Sequence, residues 1–132
     1  MIKKIRLLSL LLVCCFACSC SKIMNQANSS SRPKVANNAS IPTYVFYYAQ
    51  WCGFCHKMAP AVAQAAKDYK EKIFFYYVDI DTEEGKEFIA QYRPDGRGVP
   101  YAQYYDSEGN FVKDKIGLIS YPELVKSLTK LL

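Results

Sequence analysis

At 132 residues the chain has room for one domain of ordinary size, and 51% hydrophobic with 14% aromatic residues is enough to build a core. The formal charge of +5 softens once the first six residues are set apart: without Lys3, Lys4 and Arg6, 14 basic residues face 12 acidic ones, a net +2. No basic stripe, long charge run or internal repeat remains, so nucleic acid is not an expected partner.

Met1-Ile2-Lys3-Lys4-Ile5-Arg6 is a basic start, and Leu7 to Phe16 is an apolar stretch too short to span a bilayer, which is the pattern of an export signal. The stretch ends in Phe16-Ala17-Cys18-Ser19-Cys20-Ser21, which resembles the lipobox of bacterial lipoproteins, where a small residue precedes an acylated cysteine. Cys20 fits, with Ser19 before it and Ala17 three positions before; Cys18 is the alternative, but Cys14 and Cys15 then fall on apolar positions. An ordinary cleaved signal peptide or an uncleaved anchor is the plain rival. The reading is a lipoprotein-type signal peptide over 1–19 and a flexible tether over 20–40, rich in Ser, Asn and Ala with Pro33 interrupting any helix. The protein is then exported to the bacterial periplasm or cell envelope and held to a membrane by lipid at Cys20.

The domain proper, over 41–132, opens with Tyr44 to Tyr48, dense in β-formers and read as a buried strand. Trp51-Cys52-Gly53-Phe54-Cys55 follows and leads into a helix on which Met58, Val62, Ala65, Ala66 and Tyr69 recur at helical spacing. Cysteines three apart in a first helical turn share one face, with Cβ atoms about 5–6 Å apart, close enough to bond with modest adjustment. Four of the six cysteines fall at or before Cys20, so in the processed, acylated chain only Cys52 and Cys55 remain as thiols. An exported chain with a single closely spaced pair favours redox work over a stapled scaffold.

Ile73 to Val78 also reads as a buried strand, making a β-α-β unit with parallel strands and a right-handed crossover. After Asp81 and Thr82, either of them a plausible cap, a short helix carries Phe88, Ile89 and Tyr92 on one side and ends in Arg93-Pro94-Asp95-Gly96-Arg97-Gly98. Tyr101 to Tyr105 and Phe111 to Ile116 flank Ser107-Glu108-Gly109-Asn110 in a hairpin pattern. The last helix has a Ser120/Glu123 capping box, Pro122 in its first turn and an apolar stripe of Leu124, Val125, Leu128, Leu131 and Leu132. The order β-α-β-α-β-β-α describes an α/β domain.

From Thr43 to Leu132 the chain resembles the thioredoxin family, on four features: Ala49-Gln50-Trp51-Cys52-Gly53-Phe54-Cys55, Pro60 five residues past the second cysteine, Val99-Pro100 ahead of the hairpin, and Gly117 after its second strand. The resemblance implies a thioredoxin-like fold around a four-stranded mixed sheet and a thiol-disulfide oxidoreductase. It makes Cys52 the exposed attacking thiolate, favoured by helix N-terminal N–H groups, and Cys55 the more shielded thiol that resolves the mixed disulfide. It also makes Pro100 a cis-proline against the dithiol, Val99 a backbone partner for an extended substrate strand, and Trp51 part of a flat apolar contact surface, with Gly53 and Phe54 the dipeptide of the motif. Read without the family, Trp51 is core packing, Pro100 a trans proline in a turn, Pro60 a helix kink, and the tyrosine-rich strands sheet faces without chemistry.

Two positions depart from the family. Phe46 stands where many thioredoxins carry a buried acid, six residues before the first cysteine, and Tyr77 where they often have a lysine. Proton transfer is then left to water. The Gly-Phe dipeptide looks most like the Gly-Tyr motif of periplasmic disulfide isomerases and reductases, and with no added dimerisation domain in view the expectation is a monomeric reductase of protein disulfides. It would be supplied with electrons by a membrane or periplasmic thiol donor. Disulfide oxidase or isomerase are the alternatives with the same dithiol.

Two readings come from other classes. Cys52-Gly53-Phe54-Cys55-His56 is formally the c-type haem motif C-x-x-C-H, but the chain has one histidine, and Met58, the only methionine after the motif, is too near His56 to reach the opposite haem face. A non-catalytic binding module is the other. Two thiols and an imidazole fall short of a zinc site, so no metal and no cofactor beyond the Cys52–Cys55 disulfide is expected.

Overall fold

A computed structural model describes residues 40–93 and 98–132. The expected signal peptide, the acylation site at Cys20 or Cys18 and the tether up to residue 39 lie outside the described residues, as do residues 94–97. Seven elements follow in the expected order: β1 (Thr43–Tyr48), α1 (Gly53–Asp68), β2 (Phe74–Asp79), α2 (Glu83–Tyr92), β3 (Tyr101–Tyr105), β4 (Phe111–Ile116) and α3 (Tyr121–Thr129). They form a four-stranded mixed sheet in the order β2-β1-β3-β4. β1 and β2 run parallel, with Phe46 opposite Tyr77; β1 with β3 and β3 with β4 are antiparallel.

β1 is central and covered on both faces, which is why nearly every one of its residues is apolar or aromatic. Alternate side chains divide between two cores. On one face Tyr44, Phe46, Ala102 and Tyr104 pack under Met58, Val62 and Ala65 of α1 and Leu124 and Leu128 of α3, and both Cys52 and Cys55 belong to this cluster. On the other, Val45, Tyr47, Val78, Tyr101 and Tyr105 meet Tyr92, Phe88 and Ile89 of α2.

β2 corrects the expectation of a second buried strand. Phe74, Tyr76 and Tyr77 are 43%, 39% and 48% exposed, and only Val78 in the strand is buried. The cause is its place at the sheet edge, where Tyr76 stacks on Phe88 of α2 at 5.0 Å between ring centroids while one flank has no neighbouring strand among the described residues. A run of aromatic residues reports β-propensity; which strand is central is decided by distant partners.

The helix ends follow local chemistry. Thr82 rather than Asp81 caps α2, its Oγ1 accepting from the Gly85 N–H at 3.0 Å. A Cβ on Gly85 would collide with the Asp79 carbonyl, so glycine lets α2 start hard against the end of β2. Glu123 accepts at 2.8 Å from both the N–H and the hydroxyl of Ser120 at the start of α3. α3 ends at Thr129, earlier than its apolar stripe suggests, leaving Leu131 half-buried and Leu132 exposed. Gly117 has φ +87°, a left-handed conformation natural to glycine, and its N–H donates to the Pro100 carbonyl at 2.8 Å.

Candidate active site

The junction of β1 and α1 carries the dithiol. Cys52 is the N-cap of α1 with extended backbone, its N–H donating to the Ala49 carbonyl and its carbonyl accepting from the His56 N–H, both at 3.1 Å. Its sulfur takes the place of a capping oxygen and accepts from the Cys55 N–H at 3.1 Å. The two cysteines form a disulfide with Cα atoms 5.2 Å apart. No acidic residue lies in the first turn of α1, so the positive end of the helix faces the Cys52 sulfur without a competing carboxylate from its own helix.

The expected contrast between an exposed attacker and a shielded partner is absent in this disulfide state: Cys52 is 5% and Cys55 3% exposed. Both sulfurs are bonded to each other and belong to the apolar cluster with Phe46, Ala49 and Met58. The rim is what faces solvent. Trp51 is 70% and Phe54 59% exposed, and space around Gly53 is open. Trp51 is therefore not core packing; its Nε1–H donates to Asp81 Oδ2 at 2.8 Å. The Lys57 ammonium lies 5.4 Å from the centroid of the Phe54 ring.

The Val99–Pro100 peptide is cis. Pro100 is buried, and half-buried Val99 packs against both cores, including the one that holds the cysteines. Phe46, in the position of the family's buried acid, is 3% exposed in that same cluster, with its ring 5.9 Å from Tyr48 and 6.4 Å from Tyr77. Partial burial raises the Tyr77 phenol above its ordinary pKa. The apolar setting of Phe46 leaves no carboxylate at that position to relay a proton.

His56 Nε2 sits 2.7 Å from the Gln50 carbonyl oxygen, a bond that ties the first turn of α1 back to the residue before Trp51. This ring nitrogen and the bonded sulfurs are the groups a c-type haem would need free, and here each has another partner.

Sequence reading missed two residues near the site. In the sequence Asp81 stands out only as a candidate cap, although parallel pairing of β1 and β2 brings the turn after β2 beside the turn after β1. Arg93 read only as the end of a helix, yet its side chain is 2% exposed and reaches Gly98, just ahead of Val99.

A family model described as Thioredoxin matches residues 22–129. The thiol:disulfide interchange protein TxlA homolog of Synechocystis sp. is 32% identical over 90 residues, covering 68% of this chain and 49% of that protein. Thioredoxin of Pseudomonas aeruginosa is 31% identical over 106 residues, covering 80% of this chain and 93% of that one. The X-ray structure of Fasciola hepatica thioredoxin superposes with a TM-score of 0.61 at 27% identity, covering 72% of this chain and 85% of that one. The chain spans about half the length of the Synechocystis relative.

Proposed function

The chain belongs to the thioredoxin family, and from that premise we propose that it is an extracytoplasmic thiol-disulfide oxidoreductase that reduces disulfides in protein substrates through Cys52 and Cys55. The observation that carries this reading is the Cys52 sulfur at the N-cap of α1, accepting the Cys55 N–H, with its bonding partner one turn inside the helix.

In the reduced protein the helix N-terminus favours the Cys52 thiolate. It attacks one sulfur of a substrate disulfide; a Cys52–substrate bond forms, the substrate S–S bond breaks, and the second substrate sulfur leaves as a thiolate that takes a proton from water. Cys55 then loses its proton to water, since Phe46 offers no base, and attacks Cys52 Sγ. The Cys52–Cys55 bond forms and the remaining substrate sulfur departs. Two electrons have passed to the substrate, and a thiol donor in the membrane or periplasm returns them to the pair. Trp51, Phe54 and the Val99 backbone form the docking surface around the sulfurs.

The reducing direction draws on the likeness of Cys52-Gly53-Phe54-Cys55 to reductase and isomerase motifs, and thiol-disulfide exchange as the chemistry is in keeping with the name of the Synechocystis relative. Export and lipid attachment draw on the first 20 residues, with Cys20 as the acylated residue of a monomeric, membrane-held protein. The test is covalent trapping: in cells, Cys55→Ser accumulates mixed disulfides with protein partners, while the Cys52→Ser/Cys55→Ser double variant does not. Absence of any covalent partner on Cys55→Ser refutes the two-step mechanism. Loss of fatty-acid labelling in Cys20→Ser checks the anchor.

A further inference from the structure

We propose that Arg93 is the positioning residue of the substrate-docking loop, a role that rests on reading Val99 and Pro100 as the strand that meets the substrate. Arg93 follows the last residue of α2, and its side chain turns inward until 2% of the residue is exposed. Its Nη2 donates to the Gly98 carbonyl at 3.0 Å. Its Cζ stands 3.9 Å from the centroid of the Tyr101 ring and 5.3 Å from that of Tyr47. Gly98 precedes the Val99–Pro100 dipeptide and Tyr101 follows it, so one side chain holds both flanks.

The rest of the grip comes from the sheet. The Tyr101 hydroxyl donates to Asp114 Oδ2 at 2.7 Å, and the Gly117 N–H fixes the Pro100 carbonyl from the end of β4. Gln103 Nε2 donates to the Tyr92 carbonyl at 3.1 Å, tying the last turn of α2, from which Arg93 emerges, to β3. The loop is thus braced from α2, β3 and β4.

The residue type matters. A guanidinium is planar, so it donates through its edge to Gly98 while its face covers the Tyr101 ring; an ammonium is a point donor and cannot do both. Taking that charge out of water is unfavourable unless fixed partners replace the water, and the Gly98 carbonyl and the Tyr101 and Tyr47 rings supply part of that replacement. The result is a Val99 backbone held in place before a substrate strand arrives, which lowers the ordering cost of docking. Bond exchange itself lies at the β1–α1 junction, and none of the hydrogen bonds and ring contacts described for Arg93 involves either cysteine.

The separation of docking from exchange makes the role testable in the full chain with Arg93→Met, which keeps much of the length without the charge, and Arg93→Lys. Three quantities are measured: KM and kcat for insulin reduction with dithiothreitol as electron source, the equilibrium of the Cys52–Cys55 pair with glutathione, and the thermal midpoint. Arg93→Met raises KM about tenfold with kcat and the glutathione equilibrium within about twofold of wild type, and Arg93→Lys falls between the two. An unchanged KM in folded Arg93→Met overturns the role, as does a joint change in KM, kcat and the equilibrium, which marks general loosening. If Arg93→Met does not fold, Arg93→Lys decides: a raised KM with an unchanged equilibrium supports the role and an unchanged KM overturns it. Wild-type protein that fails to reduce insulin while its dithiol is reduced refutes the reductase reading itself, whereas wild-type turnover matched by Arg93→Met refutes only the role of Arg93.

Discussion

Replacing Phe46 by Asp puts a carboxyl group into the apolar cluster that holds the dithiol, and the cost can be worked from the surroundings. Phe46 is 3% exposed between Tyr48 and Tyr77, so losing the ring costs about 3–5 kcal/mol by comparison with other buried phenylalanines. Burying even the neutral acid without a designed partner adds about 1–3 kcal/mol. Burial this deep raises a carboxyl pKa by about 3, each whole step being worth about 1.4 kcal/mol, so ionisation adds about 4 kcal/mol well above the raised value. The sum approaches the entire stability of a small domain, about 5–15 kcal/mol. The sign follows from linkage: with the folded pKa raised, the fold tolerates the acid below the unfolded value near 3.9, and stability is lost as pH rises through the folded one. Phe46→Asn loses the same ring without titrating. Unfolding free energies of the oxidised Asp and Asn variants, taken from urea titrations between pH 4 and 8, diverge by up to about 1.4 kcal/mol per pH unit. Parallel curves refute the reasoning and mean that water reaches position 46.

Tyr44 is fully buried and its hydroxyl has no hydrogen-bond partner among the described residues, so Tyr44→Phe gains about 1 kcal/mol in urea unfolding; a loss of that size reveals a partner. Burial, then the neighbouring Tyr104 and Tyr77, hold the Tyr44 phenol well above its ordinary range, and burial pushes Tyr104 up to about 12. Neither phenol weakens the fold by titrating up to about pH 10, where unfolded tyrosines begin to ionise, and stability falls as pH rises through the raised values. Tyr44→Phe flattens that alkaline fall, and identical alkaline slopes for the two proteins count against it. Glu123 is held below its ordinary value of 4.5 by the Ser120 N–H and then the Ser120 hydroxyl, so its support of α3 is present above that pH and is lost as pH falls through the depressed value. The difference in urea midpoint between wild type and Glu123→Ala accordingly narrows as pH falls below 4.5, and a difference that does not change with pH refutes the capping-box account.

What could be read from the chain alone was whatever depends on near neighbours. The Ser120/Glu123 box, a cap at Asp81 or Thr82, the spacing of Met58, Val62 and Ala65, and the hairpin around Gly109 each rest on a few adjacent residues, and the fold contains them, with Thr82 as the cap. Features set by distant partners were harder. Phe74 to Tyr77 carry the same aromatic density as β1, yet one strand is central and the other marginal, and only the sheet order tells them apart. Cys52 is scarcely more open than Cys55 because its surroundings come from β1 and α1 together. Arg93 beside a proline reads locally as a stop, and its inward turn depends on rings contributed by Tyr47 and Tyr101 from two other strands.

Trp51 is the only tryptophan in the chain, adjoins Cys52 in sequence and is largely exposed. The single indole therefore stands in solvent next to the bond that opens and closes, so the chain carries a built-in reporter at its reactive end, read without any added label.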